Sequence, residues 1–401
     1  MGNYFDVAII GAGPAGAVAA ALLNQRGFKV CVLEKQHFPR FVVGESLLPH
    51  GMEILAEAGL LAPVQAAGFQ HKDGVVFRRG DDCAVYDFND KSHPGPSTAL
   101  NVQRDRFDKI LIDQVIDAGA TVRFGESVVA FDNTDVYARL RVARENGQHY
   151  QINAGFVLDA SGHFRAIPRL RGWEMPAHLP VRQVHLTHID DHITDPAFER
   201  NKNMIVTHPQ YRDVWLWLTP FSNGRLSVGV VGRPERFAGI SASANILKKN
   251  VHDVPMLADL LANAVWDNGF PFLYLSGFSA SVKYSHGRHF ALLGNAAGFL
   301  DPVFSSGTTI AMHSAKLAAD VLTRQLYDEA VDWQTDFADA LNLGVNTLQT
   351  YAEGWYEGRF QDLIYSQRQS PEEKRMLSAI FAGYAWDKKN PYVRNAQAIM
   401  M

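Results

Sequence analysis

The N-terminus constrains this chain more than any other segment. Residues 5–10 (FDVAII) form an apolar run, GAGPAG follows at 11–16, and the helical stretch AVAAALLNQRG ends at Gly27. A second apolar run, KVCVLE, occupies 29–34 and closes on an acidic residue. Strand, glycine-rich turn, helix and strand in this order predict a parallel β–α–β unit, with Gly27 as the helix C-cap. Gly11 is expected in the tight turn, Gly13 where the backbone approaches a pyrophosphate, and Gly16 where helix and strand pack closely. The helix N-terminus then offers N–H groups and a positive dipole end to phosphates. Glu34 is spaced to accept hydrogen bonds from an adenosine ribose. A glycine-rich turn without a ligand is the alternative; the flanking strands, the helix and the acidic residue favour a dinucleotide. The unit alone fits FAD and NAD equally.

Composition leaves room for more than this unit. The chain has 401 residues, 47% apolar and 20% charged, an ordinary globular make-up; at roughly 150 residues per domain it predicts two to three domains. Its 38 Lys and Arg against 42 Asp and Glu leave a formal charge of −4, which argues against a nucleic-acid partner. Cys31 and Cys83 are too few for a disulfide scaffold or a structural zinc site, and suit a reducing compartment. No apolar run approaches the roughly 18 residues that span a bilayer. The N-terminus lacks the basic region of a signal peptide, and Asp6 spoils a myristoylation match. The expectation is a cytoplasmic protein with no integral membrane segment. Neither a metal-binding HExxH spacing nor a GxSxG elbow occurs, so metal catalysis and hydrolase chemistry have no support.

Further along, residues 37–50 read as an ordered loop and 51–67 as a helix. Strands are expected at 75–90 and 140–158, with a helix at 106–119 between them. FVLDASG (156–162) has the form of a strand that delivers a loop to a ligand. Residues 211–232 predict two strands around Ser222, Asn223 and Gly224, which puts Trp215 and Trp217 on one face. A small-residue turn before the helix at 308–326 invites a second ligand contact. Residues 330–401 read mainly as helix.

GAGPAG with Glu34, FPRFVVGESLLP (38–49), DASG (159–162) and GNAAGFLDP (294–302) together resemble the FAD-dependent oxidoreductases of the aromatic hydroxylase fold. Within that group the chain resembles the flavin-dependent halogenases and halogenase-like dehydrogenases, over roughly residues 4–320. The resemblance implies an α/β fold with a Rossmann-type three-layer FAD domain in three pieces (1–75, 100–165 and 275–330). An antiparallel substrate-side sheet (76–99 and 166–274) would be inserted between them, and a helical region (331–401) would follow. FAD would be held by Gly11, Gly13, Ala15, Gly16, Glu34, Lys35, Arg40, Ser46, Arg104, Asn295, Asp301 and Gly307. The loop at Gly44, Glu45 and Ser46 would form the strap over the isoalloxazine. Asn295 stands where the family usually has Asp, and its amide can still bond a ribityl hydroxyl.

Two features resemble halogenases in particular. Lys72, in GFQHKDGVVF, matches their active-site lysine, which hydrogen-bonds hypohalous acid or forms a haloamine; an exposed loop lysine is the plainer reading. WLWLTP (215–220) is similar to the signature WxWxIP, with Trp215, Trp217 and Pro220 at the substrate cavity; two inward tryptophans on a half-buried strand need no ligand. Ser306, Gly307 and Thr308 fall at the family's halide site, although the same amides could bond flavin carbonyls or cap the helix. Ser305 lies where halogenases of the tryptophan class place a glutamate, a departure that fits phenol, pyrrole or acyl-type substrates better. The implied partners are chloride or bromide, a small organic substrate, free or tethered to a carrier protein, and a separate flavin reductase. The alternative function is a flavin dehydrogenase or reductase acting on a polyene, isoprenoid or acyl substrate; a third is a non-catalytic FAD-holding protein. Arg165, Arg169, Arg171 and Arg182 form either a patch for an acidic carrier or ordinary surface charge.

Overall fold

The computed structural model describes residues 4–176, 179–277, 280–298 and 301–401. The strand Tyr4–Ile10 pairs in parallel with Val30–Glu34 on one side and His149–Asp159 on the other. Its inner residues Val7, Ala8 and Ile9 are fully buried, as expected of a parallel strand covered on both faces. Thr121–Phe124 extends this sheet beyond Val30–Glu34, and Phe290–Leu292 extends it beyond His149–Asp159. The helix Pro14–Gln25 lies over the sheet and packs against the helix Gly307–Leu326. Its run of small buried residues, Ala15 to Ala21, lets both neighbours approach closely. Gly27, in left-handed geometry, follows a C-cap at Arg26, one residue earlier than the sequence predicted.

A second sheet has seven strands in the order Leu273–Ser276, Gln183–Asp190, Arg225–Gly232, Trp215–Pro220, Lys202–Thr207, Gly74–Arg79 and Asp82–Asp87. Its pairings are antiparallel except for Lys202–Thr207 against Gly74–Arg79, a departure from the wholly antiparallel sheet expected. Those two strands come from distant parts of the chain, so no hairpin dictates their direction. Trp215–Pro220 and Arg225–Gly232 form the expected hairpin. Gly229 stands opposite Trp217, where a Cβ would fall 2.2 Å from the indole; glycine makes the room in which that ring lies.

One local expectation changes, and one gains detail. The helix expected over 51–67 is two helices, Pro49–Glu57 and Leu61–Ala66, separated near Gly59 in left-handed geometry. The C-terminal region is helical but is no appendage. Trp355 and Phe381 pack with Phe77 and Tyr86 of the second sheet, and Trp333 stacks on Phe156 of the first at 4.7 Å. The C-terminal helices therefore complete the core of both sheets.

Candidate flavin and substrate site

Residues of both sheets line a cavity of about 370 Å³. At one end lies the turn after Tyr4–Ile10. Gly11 adopts φ +98°, and a Cβ there would stand 2.6 Å from the carbonyl oxygen of Ala160. A Cβ on Gly16 would stand 2.0 Å from the Gly11 carbonyl oxygen, so Gly16 shapes the turn from behind while Gly11, Gly13 and Ala15 face the cavity. Helix Pro14–Gln25 begins with proline at its first turn and has no side-chain cap, which leaves its N–H groups for an anion. Glu34, buried at the end of its strand, accepts hydrogen bonds from the amides of Ala12 and Gln36, both at 2.9 Å. The carboxylate is thereby fixed beside the turn. Lys35 lines the cavity with its ammonium 3.6 Å from the Phe164 ring centroid. Desolvation lowers its pKa, against the opposing pull of Glu34.

Arg40 and Arg104 also line the cavity and share one buried carboxylate. Asp108 accepts from Arg40 Nη1 at 3.1 Å and from Arg104 Nε and Nη2 at 2.8 and 3.0 Å. Such a clamp presents two guanidinium groups in fixed directions. Asp108 was missed in the sequence, although it falls four residues after Arg104 on the helix Arg104–Asp117 and so shares its face. Opposite, Asn295 lines the cavity and donates to His163 Nε2 at 3.1 Å. Desolvation first, then Arg165 and Arg104, hold the His163 imidazole down to about 4.

The other end meets the second sheet. Trp215 and Trp217 both line the cavity, their ring centroids 5.9 Å apart. Trp215 Nε1 donates to Tyr356 Oη at 2.8 Å, and Tyr356 donates to Asp301 Oδ2 at 2.9 Å. The Arg182 guanidinium carbon lies 3.3 Å from the Tyr356 ring centroid. Burial raises Asp301 to about 6, against the pull of Arg182 and the Tyr356 hydrogen bond. Tyr356 comes from the C-terminal helix Ala340–Glu357, where no motif marks it.

Three expected contacts move. Among the described lining residues, Asp301 and Ser306 face a neighbouring cavity of about 210 Å³ beside the helix Ala340–Glu357 instead. Asp301 caps the short helix Pro302–Phe304 and receives Tyr356, which turns it away from the cofactor cavity. Ser305, at φ +55°, lines the large cavity with Gly307 and Thr308. Pro220 ends its strand with its carbonyl bonded by Asn101, and Thr219 lines the cavity in its place. The arginine patch also dissolves: Arg165 and Arg169 pair with Glu174, and Arg182 is buried 3.9 Å from Asp301. Phe299 and Leu300 of the flavin segment lie outside the described residues.

Lys72 ends the short strand Gln70–Lys72 and is 2% exposed. Its ammonium donates to Ser46 Oγ at 2.8 Å and to the Leu47 carbonyl at 3.2 Å. Burial pulls it down to about 7. Lys72 is absent from the described lining, whereas Ser46 belongs to it. The lysine thus meets the cavity wall through a serine hydroxyl. Among the described residues, no cluster of three or more His, Cys, Asp or Glu side chains is placed to hold a metal, and no helix is long and apolar enough to cross a membrane.

The sequence profile described as the FAD binding domain matches residues 4–342. The chain belongs to that family. FAD is accordingly its cofactor, and the glycine turn, Glu34 and the Arg40–Asp108–Arg104 clamp fit a dinucleotide. A flavoprotein/dehydrogenase from Cytophaga hutchinsonii is 38% identical, with a TM-score of 0.93 over 99% of this chain and 97% of its own. A 1H-pyrrole-2-carbonyl-[peptidyl-carrier protein] chlorinase of Pseudomonas fluorescens is 27% identical over 79% of this chain and 75% of its own length. A tryptophan 2-halogenase of Chondromyces crocatus is 30% identical over 78% of this chain and 60% of its own length.

Proposed function

We propose that this chain is a FAD-dependent halogenase-like oxidoreductase. It uses reduced FAD, oxygen and chloride or bromide on an aromatic or related secondary-metabolite substrate, free or carried on a carrier protein. A separate flavin reductase supplies the reduced cofactor. The observation that carries this reading is Lys72, buried with its ammonium on a serine hydroxyl and a backbone carbonyl, held near pKa 7 and joined by Ser46 to the cofactor cavity. Reduced FAD, when bound, would give oxygen two electrons and the halide the other two, so that oxygen would end as hypohalous acid and water. Near neutral pH Lys72 is populated both as ammonium and as amine. The ammonium can give a proton to the hypohalous oxygen, and the amine can take up the halogen. Trp215 and Trp217 offer a rigid apolar wall for a planar substrate, Trp215 being fixed through Tyr356. The amides near Ser305, Gly307 and Thr308, at the start of helix Gly307–Leu326, suit an anion. Protein with FAD, a reductase, NADH, oxygen and bromide, offered a phenol and a pyrrole, should yield brominated product that Lys72→Ala abolishes. Undiminished bromination by Lys72→Ala would remove the lysine from the mechanism.

A second reading is a flavin dehydrogenase, favoured by the likeness to the Cytophaga hutchinsonii flavoprotein over nearly the full length of both chains. Anaerobic bleaching of bound FAD by a saturated acyl or isoprenoid substrate would select it.

A further inference from the structure

The strap carries a carboxylate that none of the functional assignments above uses. Glu45 lines the cavity beside Ser46, yet only 6% of it is exposed. Its Oε1 lies 2.6 Å from Nε2 of His188, which projects from the strand Gln183–Asp190 of the second sheet and is 4% exposed. Among the described residues neither atom has a hydrogen-bond partner, so the pair is a close, buried contact of imidazole with carboxylate. The imidazole is also boxed by aromatic rings. Phe270 stacks on it at 3.9 Å, and Phe221 and Phe41 stand edge-on at 5.1 and 5.8 Å. Aromatic faces favour a cationic ring and keep bulk water from it. Gly44, just before Glu45, adopts φ +113°, a turn that sets the direction of the strap as it enters the cavity.

We propose that Glu45 and His188 form the acid–base couple of this cavity, with Glu45 accepting the proton that the substrate loses. This rests on the halogenation reading. In electrophilic halogenation the ring carbon bonds to the halogen of hypohalous acid while the O–X bond breaks, its electron pair leaving on oxygen. That oxygen takes a proton from the Ser46 hydroxyl, which Lys72 replaces, and departs as water. The ring C–H bond then breaks, its pair returns to the π system, and its proton passes to the Glu45 carboxylate. C–H plus HOX thereby becomes C–X plus water. One proton is given by Lys72 and one is taken by Glu45, so the cavity regains its charge when a proton passes from the couple to the lysine. His188 spreads the positive charge of the proton that Glu45 gains. The charged groups on the packed elements are Arg104, which donates to the Gly44 carbonyl at 3.2 Å, and Lys72 at Ser46 on the strap side. On the sheet side Asp190 and Arg225 pair with each other at 3.1 Å.

The test compares wild type with Glu45→Gln and His188→Gln, each first checked for retained FAD. Imidazole nitrogen spectra are recorded, and bromination is timed with a ring-deuterated phenol. Loss of a general base typically costs about 10²-fold or more in rate. Glu45→Gln should slow bromination to that degree and expose a primary deuterium isotope effect that wild type lacks. It should also change the imidazole nitrogen spectrum of His188, whose Nε2 loses the carboxylate that faces it. His188→Gln should show the isotope effect more weakly. Product formed by wild type and Glu45→Gln at equal rates, with no isotope effect and an unchanged His188 nitrogen spectrum, would overturn the couple alone. Absence of halogenated product from wild type itself would overturn the halogenation reading and the couple with it.

Discussion

Replacing Lys72 by Met tests the physical basis of the site without any substrate. The buried amine titrates at about 7 against an ordinary value of 10.5. In the unfolded chain the lysine is protonated up to its ordinary pKa, whereas in the folded protein it is neutral above about 7. Between these values the unfolded state binds more protons, so stability rises with pH. The whole shift corresponds to about 5 kcal/mol, a penalty fully present below the folded pKa and relieved as pH climbs to the unfolded one. Lys72→Met removes that penalty and also removes the donor to Ser46 and Leu47. The lost hydrogen bonds cost about 1 kcal/mol each, the same at every pH. They cancel when the stability gap between variant and wild type is compared at two pH values. Urea denaturation should show that gap narrowing by about 2.5 kcal/mol in favour of wild type between pH 7 and pH 9. A gap that does not change with pH would refute the claim that Lys72 is held near neutrality, and with it the argument for a reactive amine.

Gly16→Ala should weaken FAD binding more than ten-fold by fluorescence titration, because its Cβ would meet the Gly11 carbonyl at 2.0 Å; unchanged affinity would contradict the turn assignment. Asp108→Asn takes the shared charge from Arg40 and Arg104, and should cost about 3 kcal/mol in thermal or urea unfolding and weaken FAD binding. An unaltered midpoint and affinity would show that the clamp is not needed. Tyr356→Phe leaves Trp215 Nε1 without its acceptor and takes from Asp301 its tyrosine donor, and should destabilise by about 1–3 kcal/mol with a shift in tryptophan emission. No change in either would remove Tyr356 from the wall.

The flavin end of the site was legible because its chemistry is local. Gly11, Gly13 and Glu34 lie within one β–α–β unit, where the turn, the helix dipole and the acidic residue share a spacing. The tryptophan face was legible for a similar reason, since alternation on one strand fixes which side chains share a side. What escaped was tertiary. Asp108 joins Arg104 on one helix face, but its second partner Arg40 lies in another segment. Tyr356 reaches Trp215 from the C-terminal helices, and His188 reaches Glu45 from the second sheet; no spacing in the sequence announces either meeting. Asp301 has the residue type of a cofactor ligand, yet a helix cap and a tyrosine claim its oxygens. Of the arginines grouped in sequence, Arg165 and Arg169 share Glu174 while Arg182 lies buried beside Asp301. The helix expected over 51–67 broke where Gly59 takes a left-handed turn that no hydrophobic period registers.

The most direct test of the central claim follows one pool of enzyme-bound reduced FAD through a single turnover. Oxygen, bromide and a phenol are added, and the organic product is read by mass spectrometry. The account predicts the paired-isotope signature of bromine on the phenol from wild type, and its loss from Lys72→Met despite normal reoxidation of FAD. Complete reoxidation of wild-type FAD with no bromine in the phenol or in a pyrrole, together with anaerobic reduction of FAD by a saturated substrate, would contradict it.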